Sequence, residues 1–215
     1  MSAEADARPP AERGWWLRVP LVLQSPSAVF AALRDDRDDA AAARAEPILA
    51  LTWLAGIGGV LASNVAGEIL DDFDVDGILV AVWAFVGGGF YGLAGYLVLG
   101  ALVHWGARLA GGQGSYRRAR HVLAYAAVPL AVSLLVWPVR LAAHGSDVFR
   151  TGGQDTGAAN RVFEGLELGF VLWAVALLVV GIRTVHGWTW TRALAAAALP
   201  ALVPALALAR AHGLF

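Results

Sequence analysis

The sequence predicts an all-α polytopic membrane protein, a five-helix transmembrane bundle preceded by a short cytosolic N-terminal amphipathic region. Two observations predict this class. Of the 215 residues, 58% are hydrophobic and only 15% are charged, with a mean hydropathy of +0.61, which exceeds the apolar share of ordinary globular chains. The charges are also segregated, so that stretches of about twenty residues, enough for a helix to cross a bilayer, carry almost none.

Residues 1–46 form the polar N-terminal region. Composition predicts disorder for residues 1–14, and residues 15–34, "WWLRVPLVLQSPSAVFAALR", are amphipathic. Trp15 and Trp16 suit either a lipid headgroup interface or a short helix packed under the bundle, and the sequence leaves both alternatives open. We interpret the segment "RDDRDDAAAARAE", residues 34–46, as a solvated, mixed-charge linker.

The membrane domain, residues 47–210, contains five apolar segments. Each is long enough to cross a ~30 Å hydrocarbon core at a rise of about 1.5 Å per residue. We expect one long helix for the second segment, although three consecutive glycines inside it offer a place for a break, and two prolines are expected to bend the third. The predicted spans are about 47–67, 77–110, 121–143, 165–183 and 190–209.

The arginines predict the orientation of these spans. Six lie in the N-terminal region, four in the connection between the second and third spans, and two in the connection between the fourth and fifth. The opposite side has the other four. Because arginine-rich loops stay cytosolic, we expect a cytosolic N-terminus and an extracytosolic C-terminus in the plasma (inner) membrane of a bacterium. All sixteen basic residues are arginine, which is typical of a GC-rich genome.

Several function classes find no support in the sequence. The net charge of −1 argues against a nucleic-acid partner, and the lack of cysteine excludes thiolate catalysis. No catalytic or cofactor-binding motif is recognisable, so we expect no enzyme and no cofactor. "DDFDVDG" matches the opening of a calcium loop at Asp72, Asp74 and Asp76, but Trp83 occupies the position of the bidentate carboxylate. We therefore predict an acidic turn and no metal site.

Small residues at four-residue spacing are the first candidates for a specific role. Gly59 and Ser63 follow this spacing in the first span, and Gly88 and Gly92 in the second. Small side chains let helix backbones approach closely within lipid. The pattern predicts tight packing between the first two spans, with homo-oligomerisation as the alternative.

The stretch "GGQGSYRRARHVLAYAAVPL", residues 111–130, supplies the second set of candidates. It lacks the lysine and hydroxyl residue of a phosphate-binding loop, and we interpret it as the cytosolic turn between the second and third spans. Arginines at such a turn attract anionic lipid headgroups by about 1 kcal/mol each. The predicted lipid or partner interface comprises Arg117, Arg118, Arg120, Arg183 and His186.

Three stretches together resemble the bacterial YIP-domain (Ypt-interacting-protein) family. They are "VLQSPSAVFAALRDD", "LAGGQGSYRRARHVLAYAAVPLAVSLL" and "LWAVALLVVGIRTVHGWTWTRALAAAALPAL", and the resemblance covers about residues 17–210. It implies a five-helix membrane domain with a cytosolic N-terminus and supplies no catalytic residues. Eukaryotic relatives engage Rab-type small GTPases, a role that is not carried over to this chain.

The sequence therefore leads to two main hypotheses of function. The first is a non-enzymatic, YIP-domain-like integral membrane protein that organises the membrane or acts as a scaffold for anionic lipid or an unidentified protein partner. The alternative is a transporter or channel component for a neutral solute or lipid, with Asn64, Tyr91 and Tyr96 along its path. A membrane enzyme is the third and weakest hypothesis.

Overall fold

The computed structural model describes residues 10–62, 77–145, 148 and 157–211, and every regular element within these ranges is helical. The predicted all-helical class is thereby confirmed for this part of the chain. A 3₁₀ turn, Leu134–Val136, separates the seventh α-helix from the eighth. In chain order the α-helices are α1 (Pro10–Gln24), α2 (Pro26–Ala32), α3 (Asp38–Ala42), α4 (Ala45–Leu61), α5 (Gly77–Leu109), α6 (Tyr116–Ala126), α7 (Val128–Ser133), α8 (Trp137–His144), α9 (Ala158–His186) and α10 (Trp190–Ala211).

The N-terminal region folds against the bundle. Helix α1, Pro10–Gln24, overlaps the segment for which composition predicts disorder. Trp15 is only 6% exposed, and its ring lies 5.7 Å from that of Tyr125. Trp16 Nε1 donates a hydrogen bond to Glu46 Oε2 at 3.2 Å. Trp15 is therefore packed against the bundle and does not lie exposed at a headgroup interface.

Helices α4 and α5 pack backbone to backbone where glycines face each other. A Cβ atom on Gly56 would overlap the carbonyl oxygen of Gly88, and one on Gly92 would overlap that of Thr52. Only glycine permits an approach this close. The contact between the two helices therefore depends on the absence of side chains at these positions.

The other predicted packing residues have different surroundings. Gly59 faces the ring of Tyr91, which a Cβ atom at Gly59 would press against. Ser63 and Asn64 lie outside the described residues, as does the acidic turn at 68–76. In the described part of α4, the backbone comes closest to α5 at Gly56. Gly56 is not one of the residues that the four-residue spacing of Gly59 and Ser63 predicts for this contact.

The second apolar segment forms one continuous helix. Helix α5 runs from Gly77 to Leu109 without a break at the three glycines. Its 33 residues span about 50 Å at 1.5 Å per residue, which exceeds the hydrocarbon thickness. The glycines are used for packing: the indole of Trp53 lies against Gly89, and its Nε1 donates to the Phe85 carbonyl at 3.0 Å.

The third apolar segment is a broken helix. Helix α6 begins at Tyr116 instead of residue 121 because Ser115 caps it. The helix is interrupted at Ala127, just before α7 and its Pro129, and again at the 3₁₀ turn that precedes Pro138. Each proline lacks the amide hydrogen that a continuous helix needs, which accounts for both interruptions.

Helix α9 begins well ahead of the start expected from hydropathy, because polar side chains in its first turns find partners within the protein. Asn160 Nδ2 donates to Glu164 Oε1 at 2.9 Å. Arg140 of α8 donates to Glu167 Oε1 at 2.6 Å. Hydropathy predicts that the span begins after these charged residues, whereas the helix already includes them.

The turn between α9 and α10 is a glycine C-cap. Gly187 adopts a left-handed conformation with φ +66, and the amide of Trp188 donates to the Arg183 carbonyl at 3.0 Å. Helix α10 then runs through Pro200 and Pro204 without an assigned break. The turn brings the end of α9 close to the loop that precedes α6.

Three helical stretches of the described residues are long and apolar enough to cross a membrane: Ala81–Leu109, Tyr116–His144 and Asn160–His186. The stretch Ala45–Leu61 is apolar but shorter. Large apolar side chains such as Phe90 are exposed on α5, as expected for a surface that faces lipid. The count of five spans stays a prediction.

Candidate functional site

One end of the bundle gathers basic residues from three helices, and we call it the arginine-rich end. It comprises the last turns of α5 and α9, the loop 110–115 and the first turns of α6. Gly111, with φ +82, ends α5, and its amide donates to the Arg108 carbonyl at 2.9 Å. Ser115 Oγ then accepts from the Arg118 amide at 3.0 Å and starts α6. The "GGQGSYRRAR" stretch therefore ends one helix and begins the next.

Arg117 is paired within the chain. Its Nε lies 3.1 Å from Asp36 Oδ1 and its Nη1 lies 2.6 Å from Asp38 Oδ1, and its Nη2 also donates to the Asp36 carbonyl. Both aspartates belong to the mixed-charge linker, which we predicted from the sequence to be solvated. The linker is instead docked on the first turn of α6.

Asp36 is the carboxylate at which these contacts meet. Ser115 Oγ donates to its Oδ2, and Arg118 Nε lies 4.0 Å away. Partial burial opposes ionisation of Asp36, but the hydrogen bonds from Ser115 and Arg117 outweigh it, so its pKa lies below the ordinary value of 3.8. At neutral pH this carboxylate is charged and cancels part of the positive charge around it.

Arg44, near the end of the linker, is fully buried and connects the start of the linker to α6. Its Nε donates to His121 Nδ1 at 2.8 Å, its Nη1 donates to the Asp35 carbonyl at 2.8 Å, and its Nη2 lies 3.5 Å from Asp36 Oδ1. Because the guanidinium is a donor only, His121 must accept at Nδ1. Burial lowers the pKa of Arg44, and Asp36 opposes that shift. The pairing still leaves the guanidinium protonated.

The linker is also tied to α9. Arg34 donates from Nε and Nη2 to the Thr184 carbonyl at 3.1 and 2.5 Å. Arg118 Nη2 donates to the Arg34 carbonyl at 2.8 Å. These contacts hold the linker between α6 and the last turn of α9.

Two of the remaining predicted residues rest on aromatic rings. The Arg120 guanidinium lies 4.5 Å from the ring centroid of Tyr116 and 5.1 Å from that of Tyr96. Arg183 lies 4.5 Å from the centroid of the Trp190 ring. A ring attracts a cation without cancelling its charge, so both arginines stay positive.

His186 closes the last turn of α9 against the loop 110–115. Its imidazole stacks on the Trp188 ring at a centroid distance of 4.3 Å. A Cβ atom on Gly112 or Gly114 would lie 3.1 or 3.0 Å from His186 Cε1, closer than a side chain normally sits. The two glycines let the loop lie flat against this imidazole.

A shallow groove with about 10 Å³ of internal space, room for about one water molecule, lies between the ends of α5, α6 and α9. Its polar rim consists of His104, Arg108, Ser115, Arg118 and His186, and its apolar floor is made by valine, isoleucine and alanine side chains. Among the described residues, no acidic side chain lines it. The floor residues Val103, Val122 and Ile182 are each 2% exposed, so only the polar rim of the groove faces outward.

The structure thus brings the five predicted interface residues to one end of the bundle but gives them different surroundings. Arg117 is neutralised by the linker, Arg120 and Arg183 lie on rings, and Arg118 and His186 line the groove. Sequence reasoning missed the residues of the linker contact: Asp36, Asp38, Arg44 and His121. The one available signal is the complementary charge of "RDDRDD" and "RRAR".

Metal ligands are not grouped in the part of the chain that the structure describes. No three His, Asp or Glu side chains there are placed to share an ion. The aspartates of the calcium-loop-like stretch lie outside the described residues.

Comparison with known proteins gives one family. Residues 21–210 match the family model of the Yip1 domain, which covers the linker, all the helices of the arginine-rich end and most of α10. No match is found among curated proteins or among solved structures.

Proposed function

The chain belongs to the Yip1 domain family, and we propose that it is a non-enzymatic integral membrane protein that organises the membrane or serves as a lipid- or partner-binding scaffold. Family membership and the apolar helices make it a membrane-embedded protein. The proposal goes further and assigns binding to the arginine-rich end. Its ligands would be anionic lipid headgroups or an acidic surface of a protein partner.

One observation carries this proposal: basic side chains from α5, α6 and α9 converge on one end of the bundle. Only some of them are neutralised by the linker, since Arg120 and Arg183 lie over rings and keep their charge. The docked linker also gives an example of the chemistry that this end binds. Arg117 and Ser115 hold the carboxylate of Asp36 by hydrogen bonds, as they would hold another anion.

The orientation that the arginines predict is part of the same proposal. In it, the arginine-rich end faces the cytosolic leaflet of the plasma (inner) membrane, the N-terminus is cytosolic and the C-terminus is extracytosolic. Anionic lipids give that leaflet a negative potential, which attracts basic segments. The orientation therefore puts the basic residues where their ligand is concentrated.

The transport alternative receives no specific support. Tyr91 lies against Gly59 in the α4–α5 contact, and Tyr96 lies beneath the Arg120 guanidinium. Asn64, the third residue of the hypothetical path, lies outside the described residues. Both described tyrosines thus have a role in packing.

The test is affinity purification of the full chain from native membranes, with identification of the lipids and proteins that remain bound. We expect the combined Arg117→Gln, Arg118→Gln and Arg120→Gln variant to lose anionic lipid or an acidic partner. Arg161→Gln, an exposed arginine near the opposite end of α9, is the matched control. If the triple variant retains the same lipids and proteins as the wild type, the proposal is wrong.

Because Arg117 also holds the linker, a second variant separates loss of charge from loss of docking. Asp36→Asn combined with Asp38→Asn releases the linker but keeps all three arginines. We expect this variant to retain at least as much anionic ligand as the wild type. If it loses the ligand as the triple variant does, the docked linker and not the arginine charge is what binds.

A further inference from the structure

The docked linker occupies the donors that the arginine-rich end would offer to an anion from outside. The Asp36 carboxylate accepts from the Ser115 hydroxyl and from Arg117 Nε, and the Asp38 carboxylate accepts from Arg117 Nη1. Arg118 Nη2 donates to a backbone carbonyl of the linker at 2.8 Å. The same N–H groups cannot serve the linker and a lipid phosphate at once, so the two occupants exclude each other.

The linker is held firmly at one aspartate and loosely at the other. Asp36 is largely buried between Arg117 and the fully buried Arg44, whose Nη2 lies 3.5 Å from Asp36 Oδ1. Asp38 is 95% exposed where it pairs with Arg117 at 2.6 Å. Exposed ion pairs add little stability because both ions stay hydrated. An anion from outside can therefore reach Arg117 first on the side of Asp38.

The charge of the linker is that of a competitor for these arginines. Residues 34–39, "RDDRDD", contain four aspartates and two arginines, a net charge of −2, whereas "RRAR" at 117–120 contains three cations. An anionic lipid surface attracts the arginines and repels the linker, and both effects favour separation. Since the pKa of Asp36 lies below 3.8, a change of pH near neutrality does not discharge the linker. Release therefore requires a competing anion.

The contact lies at a depth where lipid can act as that competitor. The stretch Tyr116–His144 is long and apolar enough to cross a membrane, and Arg117 and Arg118 lie in its first turn. Arginines at the end of a spanning helix extend to the headgroup region, where anionic lipids present their phosphates. Anionic lipid is therefore the competitor whose position matches that of the linker contact.

We propose that the docked linker is an internal competitor at the arginine-rich end, and that it alternates with anionic lipid headgroups on Arg117 and Arg118. The linker covers these arginines in neutral lipid and leaves them in anionic lipid. The proposal rests on the lipid-binding function assigned above and adds its regulation. By linkage, lipid weakens the docking of the linker by the same factor by which docking weakens the binding of lipid.

The first experiment measures lipid affinity by native mass spectrometry of the full chain in detergent, titrated with phosphatidylglycerol or phosphatidylcholine. Asp36→Asn combined with Asp38→Asn removes the carboxylates that pair with α6. This variant should bind phosphatidylglycerol about fivefold more tightly than the wild type, since one arginine at an anionic lipid surface contributes about 1 kcal/mol.

The linker offers a matched control for the change of net charge. Asp35→Asn combined with Asp39→Asn removes two negative charges from the same linker, but these carboxylates pair with Arg37 inside the linker. We expect this control variant to gain less affinity for phosphatidylglycerol than the variant at Asp36 and Asp38. The difference between the two variants measures the competition.

The second experiment follows the linker with all its aspartates in place. The chain has no cysteine, so Arg37→Cys and Gln113→Cys, both at exposed positions, put one spin label on the linker and one on the loop before α6. In phosphatidylcholine nanodiscs the distance between the labels should have a narrow distribution. In phosphatidylglycerol nanodiscs the distribution should lengthen and broaden as the linker leaves α6.

Equal label distances in the two lipids would overturn the proposal. So would equal affinities of the Asp36–Asp38 variant and the control variant. If the triple variant at Arg117, Arg118 and Arg120 still loses lipid in that case, the scaffold function stands and the linker is a fixed part of the site. If the wild type does not prefer phosphatidylglycerol and no variant changes its binding, both proposals fail.

Discussion

Replacement of Arg44 by methionine is the sharpest test of the linker contact. Methionine keeps much of the length of the side chain but removes every donor. His121 Nδ1 and the Asp35 carbonyl then lose hydrogen bonds of 2.8 Å each. An orphaned buried acceptor costs about 1–3 kcal/mol, and relief from burying the guanidinium offsets part of that cost. We expect Arg44→Met to lower the free energy of unfolding by about 2–4 kcal/mol.

The assay is equilibrium unfolding of the full chain in mixed micelles, arranged as a double-mutant cycle with His121→Phe. Each single change leaves one polar group without its partner, whereas the double change removes both. The two should therefore be non-additive by about 1–3 kcal/mol. Arg37→Met is the control, because Arg37 is an exposed arginine of the same linker. Additive effects, or a loss no larger than that of the control, would refute the reasoning.

Three further predictions concern packing, pH and topology. Gly56→Leu should separate α4 from α5 and lower the unfolding temperature strongly, whereas Gly95→Ala on α5, with open space around it, should leave it unchanged or raise it. Since the pKa of Asp36 lies below 3.8, its contribution to linker docking should be complete from neutral pH to about pH 4 and be lost as the pH falls through the lowered pKa; protease sensitivity of the linker measures this. A reporter fused after Phe215 should read as extracytosolic.

Each of these predictions has a clear contrary result. Equal unfolding temperatures for the Gly56 and Gly95 variants would mean that the α4–α5 contact does not need glycine. A linker that becomes protease-sensitive near pH 6 would show that a group other than Asp36 controls its docking. A cytosolic readout after Phe215 would contradict five spans with a cytosolic N-terminus.

The helices were predictable where hydropathy alone determines them. The expected 77–110 and the observed Gly77–Leu109 differ by one residue, because Gly111 ends the long apolar run. The third and fourth segments begin earlier than hydropathy indicates. Ser115 caps one of them, and the charges at the start of the other are paired with neighbours. A capping side chain or an ion pair therefore lets a helix include polar residues that hydropathy alone assigns to a loop.

The candidate site was predictable only in its location. The arginines of "SYRRAR" indicate a basic turn, and the structure has them at such a turn. Their partners could not be identified from one sequence, because Arg117 and Asp36 are 81 positions apart and Arg44 and His121 are 77 apart. Pairs at that separation depend on how the N-terminal region folds back across α6. The segment has the same composition whether it is docked or solvated.

The rings under the arginines bear on the absence of lysine from this chain. A planar guanidinium can stack on an aromatic face, whereas an ammonium is a compact, strongly hydrated charge. Arg120, Arg183 and Arg192 each have their guanidinium carbon within 4.5 Å of a ring centroid. An arginine that packs on a ring is held in place and keeps its positive charge. An arginine paired with a carboxylate is also held in place, but the carboxylate neutralises its charge. The partner of each arginine therefore determines the electrostatic potential at this end of the bundle. Arg117 holds the linker in place, whereas the three arginines that lie over rings make the potential positive.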